Sequence, residues 1–165
     1  LTLETLADLD TPLSLYLKLA DAPGTYLLLV ALDAQRMLRA GRLGSFVFEA
    51  GLYAYAGSAQ GPGGLSARVG RHLRAGKAPH WHIDSLTAAG DVVEVWLRAS
   101  PERLECRWAR TLAALPGLSQ PVPGFGSSDC ACRAHLFRLG DGTLRAAWEA
   151  LGRPERLTGG GPPTV

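Results

Sequence analysis

The sequence predicts an α/β (α+β) domain in which a small antiparallel central sheet is flanked by helices. Two patterns carry this prediction: several strand-like runs lie between Gly-rich corners, and later segments place apolar residues three and four positions apart. With 165 residues, 47% of them hydrophobic and 19% charged, the chain fits one packed domain rather than a disordered, collagenous or coiled-coil protein. We expect a domain over 23–151, an N-terminal extension over 1–22 and a flexible Gly/Pro tail over 152–165.

Strand signals dominate the first part of the domain. Residues 25–32 form an apolar run with the length of a strand buried on both faces, bounded by Gly24 and Asp33. In the run over 52–56, Tyr alternates with Ala, so Tyr53 and Tyr55 share one face. Together with the shorter runs over 37–42 and 46–48, these segments predict a strand meander.

A helix over 65–75 follows a glycine-rich loop over 57–64. Its inward stripe consists of Leu65, Val69 and Leu73. The same spacing directs Arg71 and Arg74 outward and stacks Arg68 and His72 one turn apart on the flank of the stripe.

The second half of the domain alternates helices and strands. Ser100 as N-cap and Pro101 at the first helical position predict a helix that ends near residue 116. Glu105 lies about 60° from the apolar stripe of that helix, so we expect a half-buried carboxylate. The other predicted elements are a short helix over 80–86, strands over 92–97 and 136–139, and a last helix over 144–151.

The charge distribution indicates a polyanionic partner. Net charge is only +2, but residues 34–82 carry seven Lys or Arg against Glu49 alone, and 15 of the 17 basic residues of the chain are Arg. The guanidinium group suits phosphate recognition. Arg71, Arg74 and Lys77 are the candidate nucleic-acid-binding residues.

The cysteines and the hydropathy pattern suggest a cytoplasmic protein. Three cysteines are a small and odd number, which argues against a disulfide framework and agrees with a reducing compartment. No apolar run approaches the length of a membrane span, and the N-terminal residues lack the pattern of a secretory signal. We therefore expect no membrane association.

Cys130, Cys132 and His135 are elements of a soft-metal site at unusual spacing. Zinc takes four ligands and favours two or more residues between paired cysteines, so free thiols and a hydrogen-bonded histidine are the favoured interpretation. Cys106 would complete a set of four if the fold brought it close.

Two short tyrosine motifs lie about thirty residues apart. Gly24-Thr25-Tyr26 opens one predicted strand and Tyr55-Ala56-Gly57 closes another, and they are followed in order by the helical Arg68 and Glu105. On these residues the sequence resembles the GIY-YIG endonuclease superfamily, and more closely its Uri-type branch. The segments 57–64, 80–84 and 124–130 resemble that branch in particular. Thr25 and Ala56 replace the two isoleucines of the name, and Ser127, Ser128 and Asp129 lie where the superfamily often has an asparagine.

The resemblance implies a divalent-metal-dependent endonuclease that hydrolyses phosphodiester bonds, in DNA more than in RNA, with a role in repair. By the same resemblance, Glu105 holds Mg²⁺ or Mn²⁺ and Arg68 contacts the scissile phosphate. Tyr26 or Tyr55 takes the proton of the attacking water, a task that needs a phenol whose usual pKa of about 10 is lowered by the metal or a cation nearby. His72 or His80 assists or protonates the leaving group, or else His80 and His82 orient the loop.

Other interpretations remain open at this point. Arg68 and Glu105 would form a salt bridge between two helices in a purely structural arrangement. The main alternative function is a catalytically inactive nucleic-acid-binding module with the same fold, and a third is a protein-interaction domain. The sequence leaves the oligomeric state open.

Overall fold

The computed structural model describes residues 21–74, 76 and 78–157. The α+β prediction is confirmed, since a six-stranded and mainly antiparallel sheet is combined with four α-helices in these residues. The strands are β1 (Gly24–Leu32), β2 (Arg36–Arg39), β3 (Ser45–Phe48), β4 (Gly51–Ala59), β5 (Asp91–Ala99), β6 (Leu118–Ser119), β7 (Leu136–Leu139) and β8 (Glu155–Arg156). The helices are α1 (Gly64–Leu73), α2 (Ile83–Ala89), α3 (Glu105–Ala113) and α4 (Leu144–Ala150), with a 3₁₀ turn at Gly41–Leu43.

Strand β1 is the centre of the sheet, whose strand order is β6-β7-β4-β1-β5-β8. It pairs antiparallel with both β4 and β5, and its register with β4 sets Tyr26 opposite Gly57. Apart from the half-buried Ala31, every residue of β1 is buried. The prediction of a strand buried on both faces is confirmed, because helices cover the two sides.

The two faces of the sheet carry separate cores. On one face, Leu65 and Val69 of α1 pack with Tyr26, together with residues of α2. On the other face, Trp108 and Leu112 of α3 pack with alternate residues of β1, together with Ala147 of α4. The stripe predicted for α1 is buried as expected.

The predicted helix start at Ser100 is wrong, since α3 begins at Glu105. The Ser100 hydroxyl accepts a bond from the Glu102 N–H and so closes a local turn, while the Ser100 N–H donates to the Pro23 carbonyl. The tertiary bond at Pro23 fixes Ser100 beside the residue that precedes β1, and this contact overrides the local helix signals. The helix predicted over 80–86 likewise begins later, at Ile83.

The predicted meander also differs from the structure in its second and third strands. β2 and β3 form a separate two-stranded sheet, and the chain turns into the 3₁₀ segment after Arg39. The domain extends beyond residue 151, because β8 pairs with Trp96 and Leu97 of β5 and Leu157 is buried. No helix in the described part of the chain is long and apolar enough to cross a membrane.

Candidate functional site

A pocket of about 290 Å³ opens where β1 begins and β4 ends. Five of the six residues predicted to be catalytic line it: Tyr26, Tyr55, Arg68, His80 and Glu105. The sixth, His72, is buried in contact with both tyrosine rings. The fold therefore gathers side chains from five separate segments at one concave surface.

The glycines of the two tyrosine motifs are required by close approaches within the sheet. A Cβ at Gly57 would lie 2.4 Å from both Cζ and Oη of Tyr26, so the phenol ring occupies the space of the missing side chain. A Cβ at Gly24 would lie 2.4 Å from the carbonyl oxygen of Arg98 on the neighbouring strand. The absence of a side chain at Gly57 thus leaves the space that the Tyr26 ring occupies.

Tyr26 and His72 form a buried polar pair. Tyr26 Oη and His72 Nε2 share a hydrogen bond of 2.7 Å, and both residues are almost fully buried. Burial raises the pKa of Tyr26 well above its usual value, although the Arg68 guanidinium lowers it in part. Burial likewise raises the pKa of Tyr55 to about 12 against the lowering effect of Arg68. Burial therefore outweighs the lowering effect of Arg68 on the pKa of both phenols.

The indole ring of Trp81 contacts two guanidinium groups. Arg68 Cζ lies 4.5 Å from the centre of the indole ring, and Arg71 Cζ lies 4.1 Å from it. Such cation–π contacts restrict long side chains that would otherwise be mobile. Only Arg68 lines the pocket, so Trp81 orients its guanidinium toward the space above the tyrosines.

The prediction that Arg71 points outward is wrong. Its guanidinium donates to both carboxylate oxygens of Asp84 at 3.0 Å, and its side chain is only 18% exposed. Helix α2 covers the face of α1 that helical spacing assigns to solvent. Arg74 is exposed as predicted, whereas Lys77 lies outside the described residues.

Asp84 is the anchor of the segment that carries His80 and Trp81. Its Oδ2 accepts hydrogen bonds from the backbone N–H groups of both residues, at 2.7 and 2.8 Å. Burial raises the pKa of Asp84, but the bonds from Arg71 and these two N–H groups outweigh it and lower the pKa to about 2. The anchor is therefore ionised at any pH at which the fold is expected to work.

Glu105 reaches the pocket from the first residue of α3. The buried hydroxyl of Thr25 accepts a 3.0 Å hydrogen bond from the Leu104 N–H, which fixes the start of the helix to β1. One carboxylate oxygen of Glu105 pairs with Arg103 at 3.2 Å. The other, Oε2, is buried and has no hydrogen-bond partner among the described residues. A buried carboxylate oxygen without a partner fits a ligand of a hard cation such as Mg²⁺. The alternative of an Arg68–Glu105 salt bridge is not observed in the described residues, where Glu105 pairs with Arg103.

The two histidines beside Trp81 differ in their surroundings. His80 is exposed at the pocket rim and packs edge-on against the Trp81 ring, 4.9 Å between centroids. His82 accepts a 2.9 Å hydrogen bond at Nδ1 from the Gly126 N–H, and burial lowers its pKa. His82 therefore orients the loop beyond Val122, whereas His80 stays available to a ligand.

Sequence reasoning missed two residues of the pocket wall. Arg103 lies between Glu105 and Asp129, with its NH2 atom 3.8 Å from the Asp129 carboxylate. Trp81 was unassigned, although it directly follows the candidate His80. Arg103 gave no usable signal because the helix predicted from Ser100 placed it on a helical face. The aromatic residue next to a candidate histidine was a signal for Trp81.

A second cluster of side chains lies beside the pocket. The ligand atoms of Cys106, Cys130, Cys132 and His135 all lie within 4.8 Å of one another. His135 also lines the pocket, and Cys106 directly follows Glu105 in α3. The fold has brought Cys106 to the other three residues, which sequence spacing alone left open.

Comparison with known proteins places most of the described domain in one family. Two curated proteins match over 28 residues only, which is 17% of this chain and 6% of each relative: anthranilate synthase component 1 of Pseudomonas aeruginosa, 79% identical, and that of Pseudomonas putida, 75% identical. Matches this short carry no functional argument. No solved structure matches the chain. The family profile described as "Domain of unknown function DUF123" matches residues 25–153, and the chain therefore belongs to that family.

Proposed function

We propose that the protein is a divalent-metal-dependent endonuclease of the GIY-YIG type that hydrolyses phosphodiester bonds in DNA. The observation that carries this proposal is the meeting of four chemical groups in one pocket. These are the unpartnered Oε2 of Glu105, the guanidinium of Arg68 and the phenols of Tyr26 and Tyr55. Phosphoryl transfer needs a cation, a fixed positive charge and a proton acceptor at one place.

Charge in the pocket suits an anionic substrate. Glu105 would hold Mg²⁺ or Mn²⁺ through Oε2, and when bound this cation supplies electrostatic stabilisation of the phosphoryl oxygens. Arg68, held against Trp81, would donate hydrogen bonds to the same phosphate. Because Trp81 restricts the guanidinium in advance, less side-chain freedom is lost when the phosphate binds.

The Tyr26–His72 hydrogen bond supports Tyr26 as the residue that takes the proton of the attacking water. A buried phenolate is unfavourable here, since burial raises the pKa of Tyr26. When His72 accepts at Nε2, Tyr26 can receive a proton from water at Oη while its own proton moves to His72. The phenol is then neutral before and after the step, and the imidazole carries the positive charge.

Tyr55 and His80 have supporting roles in this proposal. Tyr55, with its pKa raised to about 12, would donate a hydrogen bond to the substrate. His80 lies exposed on the rim and would protonate the leaving oxygen. Arg74, exposed at the end of α1, would contact DNA outside the pocket.

The proposal is tested by cleavage of labelled single-stranded, duplex, flap and branched DNA and RNA with Mg²⁺, Mn²⁺ or EDTA. Glu105→Gln is compared with Glu49→Gln, a matched change at an exposed glutamate outside the pocket. We expect metal-dependent cleavage that is lost in Glu105→Gln and kept in Glu49→Gln. Salt-sensitive DNA binding without cleavage by the wild type would instead support the inactive binding module.

A further inference from the structure

We propose that Cys106, Cys130, Cys132 and His135 form a closed, structural zinc site. Three sulfur atoms and one imidazole nitrogen lie within 4.8 Å of one another. Four ligands of this type are the composition of tetrahedral structural zinc centres, whereas Mg²⁺ and Mn²⁺ prefer oxygen ligands. This site is therefore chemically distinct from Glu105.

The two separations between His135 and the cysteine sulfurs match tetrahedral coordination of one ion. His135 Nε2 lies 3.5 Å from Cys130 Sγ and 3.7 Å from Cys106 Sγ. In tetrahedral zinc coordination, the usual bond lengths place sulfur and nitrogen ligands about 3.5 Å apart. Ordinary hydrogen bonds account less well for the geometry. A neutral imidazole nitrogen has a single lone pair, yet two thiols approach the same Nε2.

The backbone holds His135 in place independently of its ring. Its N–H donates to the Phe125 carbonyl at 2.8 Å, and its carbonyl accepts from the Ala56 N–H of β4 at 3.0 Å. His135 is also buried, with 3% of its surface exposed. The backbone of His135 is thus fixed beside β4 before any ion binds.

The ligands join the first turn of α3 to the segment that precedes β7. Cys106 lies in the first turn of α3, and Cys130 and Cys132 lie in the segment 120–135, which has no helix or strand in the described structure. A segment of this length without a helix or strand is uncommon in a compact domain, and other contacts must order it. A zinc ion bonded to residues on both sides would supply this order, because its binding free energy adds to the stability of the folded chain.

The site also borders the pocket. Cys106 follows Glu105, Cys130 follows Asp129, and both Glu105 and Asp129 line the pocket. Zinc would link the backbone segments that carry these two carboxylates. This last effect rests on the proposed nuclease function, but zinc binding itself does not.

The test is the metal content of the full chain. The protein is purified without chelator, and its metals are measured by elemental mass spectrometry. We expect about one zinc per chain in the wild type, as structural sites hold it tightly. Zinc should be retained in Glu105→Gln and lost in Cys106→Ser and His135→Ala. His135→Cys, which offers four thiolates, should again retain zinc.

Two further measurements do not depend on the folding of the variants. Cobalt replacing zinc in the wild type should give the thiolate charge-transfer and tetrahedral d–d absorption bands. Removal of the metal should lower the melting temperature, and added zinc should restore it. Only trace zinc in the wild type, no such bands, or a disulfide between two of the cysteines would overturn the proposal. Loss of nuclease activity in Glu105→Gln with zinc retained would show that the two proposals are separable.

Discussion

The hydroxyl of Thr25 accepts a hydrogen bond from the backbone N–H of Leu104, 79 residues further along the chain. The donor belongs to the residue that directly precedes Glu105, so the first turn of α3 is fixed to the central strand. An N–H group at a helix start has no partner within the helix. Here a side chain of the first tyrosine motif supplies the partner.

We expect Thr25→Val to destabilise the fold by about 1–3 kcal/mol, because the buried N–H of Leu104 loses its acceptor. Urea unfolding measures this change. Thr111→Val is the matched control, since its hydroxyl bonds a carbonyl of its own helix on the exposed side. Equal effects of the two substitutions would contradict a special role of the Thr25 bond.

Tyr26→Phe should reduce the single-turnover cleavage rate by about 10²–10⁴-fold, the usual contribution of a positioned proton-transfer group. Tyr55→Phe, which keeps the Tyr26–His72 pair intact, should reduce it less. DNA binding measured in EDTA should change little in either variant. A larger loss in Tyr55→Phe would indicate that Tyr55, not Tyr26, takes the proton of the attacking water.

Gly57→Ala should displace the Tyr26 ring, since the added Cβ would lie 2.4 Å from it. We expect a loss of about 1–3 kcal/mol in the free energy of unfolding, typical of overpacking in a core. Gly61→Ala is the control, because a Cβ there meets only the Arg68 guanidinium, at 4.0 Å. Thermal unfolding of the two variants side by side gives the comparison.

Arg68 and Arg71 stack on the same tryptophan but should respond differently to removal. Arg68→Ala should abolish cleavage and change stability little, since the side chain lines the pocket. Arg71→Ala removes two hydrogen bonds to a buried carboxylate and should destabilise the fold by about 1.5–3 kcal/mol. Denaturant midpoints and cleavage rates separate the two effects, and an equal loss of stability in both variants would contradict this division.

Asp84 should make the stability depend on pH in acid. Its pKa is lowered in the folded protein from 3.8 to about 2, so its stabilising effect is full above pH 3.8. The effect declines as the pH falls from there through about 2. The difference in urea midpoint between wild type and Asp84→Asn should therefore be largest near neutral pH and should shrink below pH 3.8. A difference that stays constant down to pH 2 would contradict the lowered pKa.

Local patterns were sufficient for the central strand, the apolar stripe of α1 and the grouping of the tyrosine motifs. They failed where a distant contact decides the structure. Ser100 has the residue type of a helix start, but its backbone hydrogen bond to Pro23 places it outside the helix. Arg71 has the spacing of an outward residue, but α2 brings Asp84 against it.

Sequence spacing also could not predict the metal cluster. Cys106 and Cys130 are 24 positions apart in sequence, and no spacing rule connects a helix residue with a distant loop. Only the packing of α3 against β4 and β7 brings them together. Conversely, the raised pKa values of both tyrosines follow from burial, which sequence motifs do not report.

The strand order ends at β6 and β8, each of which has two residues. Unpaired N–H and C=O groups on an outer strand are the template on which a second molecule adds its own strand, as in fibril growth. A two-residue edge offers very few such groups. The two strands that end the sheet therefore offer little template for a second molecule to add a strand.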